Sequence, residues 1–77
     1  MSASLLKRAQ YRVNEAKDRA TDCKNAADDA VESIRYGHTD RCLEDLARLK
    51  RWADSLDFLI SMAEDTVRDA ASAEVSK

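Results

Sequence analysis

The sequence predicts an all-α protein, one antiparallel hairpin of two long helices, and three observations point there. Proline is absent and the single glycine, Gly37, stands near the midpoint of the 77 residues, so the chain has one natural place to turn. Apolar residues recur at alternating steps of three and four through both halves, the spacing of a helical face. Charged residues make up 36% of the chain and aromatics only 5%, the composition of long helices rather than strands.

The elements follow in order. Ser2 or Ser4 can cap helix 1, which is expected over about residues 4–36. Tyr36-Gly37-His38-Thr39 carries the stop signal, with Gly37 suited to the left-handed closing position. Thr39 is expected to cap helix 2, and Asp40 falls in its first turn, where the helix dipole favours negative charge. Helix 2 is expected over about 40–73, followed by a frayed tail at 74–77, with residues 1–77 forming one domain.

The apolar spacing predicts the seam between the helices. In helix 1 it runs through Leu6, Ala9, Val13, Ala16, Ala20, Cys23, Ala27, Ala30 and Ile34. In helix 2 it runs through Cys42, Leu46, Leu49, Ala53, Leu56, Ile60, Ala63, Val67 and Ala70. Placing Ile34 opposite Cys42 sets Ala27 against Leu49, Ala20 against Leu56 and Ala16 against Ile60. Most layers then combine a large residue with a small one, an Ala-rich, coiled-coil-like seam. On the flanks, Lys17 matches Asp57 and Val31 faces Leu43. The basic start of helix 1 (Lys7, Arg8, Arg12, Lys17, Arg19) lies beside the acidic end of helix 2 (Asp54, Asp57, Glu64, Asp65, Asp69, Glu74).

One stripe per helix seldom offsets the entropy of ordering so short a chain. The apolar residues left off this seam therefore carry information. Trp52, Leu59, Met62 and Phe58 form a second set on helix 2, with Ala26 expected opposite Trp52. They serve either as the core of a homodimer, giving a four-helix bundle, or as a docking face for another protein. Arg48 and Arg51, with Arg41, supply a positive rim. Glu15, Asp18, Asp22, Asp29 and Glu32 line the outer face of helix 1, as a solvated surface or a site for a basic protein. Carboxylates spread along one straight helix do not converge on a metal.

Chemistry is not expected. His38 is the lone histidine and sits in the turn, without an activating neighbour for a nucleophile. An alanine-packed seam leaves no substrate cavity. No cofactor or metal is expected, and Cys23 and Cys42 read as small seam residues. Cys42 opposes Ile34, about eleven residues from Cys23, or roughly 16 Å, too far for a disulfide. Reduced thiols, an ordinary Met1-Ser2-Ala3-Ser4 start and no run of membrane-spanning length suggest a cytoplasmic protein. A net charge of −2 makes nucleic acid an unlikely target.

The expected function is accordingly that of a small non-catalytic protein-binding module, an adaptor, inhibitor or regulator that occupies a surface of a partner protein. In length and shape the chain resembles small dimeric bundle regulators, helical-hairpin secretion chaperones and short phage-encoded inhibitors of host factors. A structural homo-oligomerisation module is the alternative. A helical-bundle nucleic-acid binder, using Tyr11 with Arg8 and Arg12, is a third reading.

Overall fold

The computed structural model describes the backbone of residues 2–75 and the side chains of residues 4–72. Two helices, α1 (Ser2–Arg35) and α2 (Thr39–Val75), fold back on each other as an all-α hairpin. The Cα envelope is a rod of 59 × 15 × 12 Å. Helix α1 thus starts earlier than expected, with Ser4 inside it, and the side chain of Ser2 lies outside the described set. Helix α2 runs on through residues 74 and 75, and the last two residues of the expected tail lie outside the described residues.

The turn closes as its glycine suggested. Gly37 adopts φ 75°, a left-handed conformation that costs a side-chain-bearing residue about 1–2 kcal/mol. Its N–H donates to Ile34 O at 3.1 Å, and His38 N–H donates to Ser33 O at 2.9 Å. Those two bonds satisfy carbonyls that the end of α1 leaves open, the pattern of a Schellman cap. His38 O accepts from Cys42 N–H at 2.9 Å, which makes His38 the residue capping α2 and Thr39 its first helical residue. Arg35 in the last turn of α1 and Asp40 in the first turn of α2 both complement the helix dipoles.

The seam differs from the expected one by a rotation of each helix. Inward positions of α1 are Leu5, Ala9, Arg12, Ala16, Arg19, Cys23, Ala26, Ala30 and Ser33. Those of α2 are Cys42, Asp45, Leu49, Trp52, Leu56, Leu59, Ala63, Thr66 and Ala70. The step of three and four is kept, and every second position is shared with the expected seam. The others move back by one residue, which turns each helix by about 50°.

This rotation reverses several assignments. Ala20, Leu46 and Ile60, expected in the seam, are exposed, whereas Ala16, Ala27, Leu49 and Leu56 remain half-buried. Trp52, Leu59 and Met62, expected off the seam, are half-buried. The fully covered apolar residues are small: Ala9, Ala26, Ala30, Cys42, Ala63 and Ala70. Small residues let the two backbones approach closely, which is why alanines set the spacing.

Two polar residues are also buried, Ser33 at 6% exposure and Asp45 at 8%. Ser33 Oγ donates to Asp45 Oδ2 at 2.8 Å, and Arg48 reaches Asp45 Oδ1 at 3.5 Å. The pair satisfies the carboxylate where burial would otherwise penalise it.

Two stability outcomes follow from this packing. Ala26 is only 1% exposed, so Ala26→Leu should destabilise by ~1–3 kcal/mol through overpacking. Ala47→Leu, at an exposed site of α2, should stay within ~0.5 kcal/mol of wild type in urea unfolding. Equal effects would place Ala26 outside the seam. Ser33→Ala should cost about 1–3 kcal/mol by stripping a partner from a buried carboxylate, measured the same way.

Candidate functional site

With its helices so rotated, the rod has two unlike sides. On one side Leu6, Val13 and Ile34 lie on the sevenfold line of α1 that includes Ala20 and Ala27. Leu46, Ile60 and Val67 lie on the matching line of α2 with Ala53. Sevenfold spacing holds one line along a helix. One shallow groove, lined by Val13, Ala16, Ile60, Ala63 and Val67 with Glu64 and Arg68 at its rim, spans both helices and puts the two lines on the same side. Val31 and Leu43 extend it at the turn end by their helical position. These eight large aliphatic side chains are 43–65% exposed.

The opposite side is polar and closed by cross-helix contacts. Arg48 Nη2 meets Asp29 Oδ2 at 2.7 Å. Arg19 stacks on the Trp52 ring at 4.6 Å, donates to Ser55 Oγ at 2.6 Å and pairs with Asp22 at 3.3 Å. The planar guanidinium suits both the ring face and the fork of acceptors. Its aliphatic stem supplies the packing at a seam position that reads as charged in sequence. Arg12 is held similarly, 2.9 Å from Glu15 and 5.9 Å from the Tyr11 ring.

The residues singled out from sequence therefore separate. Trp52 is engaged by Arg19, and Leu59 and Met62 are half-buried, so three members of that stripe serve the hairpin. Phe58 alone stays well exposed, at 64%. It borders a depression shared with Glu15, Asp18 and Asp22 of the acidic strip. Arg48 and Arg51 flank Trp52 and Ser55, with Arg48 already committed to Asp29. The acidic strip and the Phe58 stripe, read as separate surfaces, lie on one side of the rod.

The turn end of the polar side holds a second depression lined by Asp29, Glu32, Ser33, Tyr36, His38, Arg41 and Asp45. Both signs of charge meet there, and two of its carboxylates, Asp45 and Asp29, are taken up by Ser33 and Arg48. Among the described residues, no three of His, Cys, Asp and Glu converge as metal ligands. Cys23 and Cys42 are free thiols, half-buried and buried respectively. No described helix is long and apolar enough to cross a membrane.

The open aliphatic face is the surface that sequence reasoning missed. Its members were legible as apolar, but they were assigned to the hairpin seam. Arg12, Arg19, Ser33 and Asp45 at inward-facing spacing were the available signal, since polar residues recur there with the same period. Comparison with known proteins adds no relative: no family model, no curated protein and no solved structure matches the chain.

Arg19→Ala should shift Trp52 emission to longer wavelength by wetting the ring, and lower stability by about 1–2 kcal/mol. Arg19→Lys should recover only part of this, because an ammonium cannot stack flat on the indole. Unchanged fluorescence in both variants would separate Arg19 from Trp52 in solution.

Proposed function

We propose that the chain is a small non-catalytic protein-binding module, an adaptor or inhibitor in its mode of action, that lays its open aliphatic face against another polypeptide. The observation carrying this reading is the placement of its large aliphatic side chains. The fully covered apolar residues of the hairpin are small, while Leu6, Val13, Ile34, Leu46, Ile60 and Val67 are exposed on one side of it. A contiguous apolar strip on so slender a body is the mark of an interaction surface, and helices of a partner fit its two parallel ridges. Two free cysteines suit a reducing, cytoplasmic setting.

Structural homo-oligomerisation is the second reading, favoured by the way the face matches itself. Nucleic-acid binding has less support, because Arg12 is already paired with Glu15 and the net charge is −2.

Cross-linking in the source cell tests the module reading. The wild-type chain should give a discrete cross-linked protein complex, with itself or with another protein. Ile60→Asp should reduce it more than tenfold, because a charge is then buried without a partner. Phe58→Ser, on the polar side and well exposed, should leave it intact. The reverse pattern would move the working surface to the Phe58 side.

A further inference from the structure

We propose that the open face is filled by a second copy of this chain, the two hairpins packing face to face with their turns at the same end. This rests on the reading of that face as a binding surface and names its occupant.

Area is the first argument. From Leu6 to Ile34 the strip runs about 42 Å at the rise of an α-helix. The rod is 15 Å wide, so the face projects roughly 600 Å². Two such faces would remove at least about 1,200 Å² from water, which reaches the range of stable protein interfaces. The hairpin has reason to need it, since no large side chain among the described residues is fully buried. A helix pair whose Leu, Ile and Val residues remain half in water has not completed its core.

Shape is the second. Large side chains occupy both ends of the face, while Ala20, Ala27 and Ala53 occupy its middle. A face small at its centre and large at its ends can meet its own copy without clash. The result is a four-helix bundle with alanines at the crossing.

The outer edges choose the orientation. Sevenfold steps along the outer edges of this face give Gln10, Lys17, Lys24 and Val31 on α1. On α2 they give Leu43, Lys50, Asp57 and Glu64. A two-fold axis along the rod lays α1 of one protomer over α2 of its partner at equal height. Lys17 then approaches the partner's Asp57, Gln10 the partner's Glu64, and Val31 the partner's Leu43. Lys24 approaches the partner's Lys50, the one unfavourable pair, and Lys24 is already bonded to Asp28 at 3.2 Å. Turning one hairpin end for end would set Lys17 and Lys24 against the partner's Lys24 and Lys17, and Lys50 and Asp57 against the partner's Asp57 and Lys50, which leaves the charge pairs balanced as before. It would also set Val31 against the partner's Gln10 and Leu43 against the partner's Glu64, breaking the aliphatic pairs that the parallel arrangement joins. Residues at such edge positions select the pairing and its direction, here through the aliphatic pair of Val31 with the partner's Leu43.

Sedimentation equilibrium of the full chain, with dipolar distances between labels at the turn, tests both parts. The wild type should be a dimer, and Ile60→Asp should raise its dissociation constant at least a hundredfold. Because Ile60→Asp could also disturb folding, exposed edge residues provide a second arm. Lys17→Glu and Asp57→Lys should each weaken the dimer several-fold, and the two combined should restore it. For the distances, His38→Cys is labelled in a Cys23→Ala, Cys42→Ala background. Labels in the dimer should then lie within about 30 Å, three helix diameters. Separations approaching the 59 Å rod length would overturn the parallel arrangement. A monomer at all concentrations, a dimer indifferent to Ile60→Asp, or no rescue by the charge swap would overturn the proposal. A monomer whose cellular cross-link to another protein still needs Ile60 would overturn the second copy and leave the module reading standing. Loss of Ile60 dependence in both experiments would remove both.

Discussion

Ser33 and Asp45 meet 2.8 Å apart inside the hairpin, and the rest of the molecule turns on that contact. A carboxylate at 8% exposure must be bonded, and Ser33 can bond it only if both residues face inward. Bringing them inward rotates α1 and α2 together. Ile34 and Leu46, the next residues along each chain, are thereby carried to the outside. The consequence repeats down the rod. Arg19 and Trp52 come inward and stack, while Ala20 and Ala53 go out.

A hydrogen bond of this kind contributes little net stability, since it exchanges water for a protein partner. Its effect is on selection. Leaving Asp45 buried and unpaired would cost more than the bond gains, so alternative rotations that bury one member alone are disfavoured. Arg48 strengthens the choice by bridging Asp45 and Asp29, and Arg19 does so at mid-rod by joining Trp52, Ser55 and Asp22. Polar groups thus decide which apolar stripe the hairpin covers, and alanines decide how closely the helices approach.

That division gives the molecule its two-sided character. Each helix carries an apolar arc wider than one neighbour can cover. A single partner helix takes the half that includes Ala26 and Ala30, or Leu56 and Ala63. The other half, with Val13 and Ile60, stays exposed. A wide arc of this kind is what helices in bundles of more than two present. Much of the polar side is tied together within the hairpin through Arg19, Asp22, Asp29, Asp45 and Arg48, whereas the aliphatic side keeps its large side chains exposed.

Gly37, the absence of proline and the alternating steps of three and four determined the two helices, their turn and their antiparallel course. These are local properties: a left-handed glycine ends a helix wherever it occurs, and periodicity declares a face without reference to anything else. The rotation of that face could not be read in the same way. Ala9, Ala16, Cys23 and Ala30 belong equally to both candidate seams, as do Cys42, Leu49, Leu56, Ala63 and Ala70. The competing positions differ by one residue. Apolar spacing favoured Val13, Ile34 and Leu46 because it ranks a valine, isoleucine or leucine above Arg12, Ser33 and Asp45. It cannot register that Ser33 completes Asp45, or that Arg19 covers Trp52, because those pairs exist only across the turn. Tertiary contact alone decided between the two stripes, and with them which large aliphatic residues this protein leaves exposed.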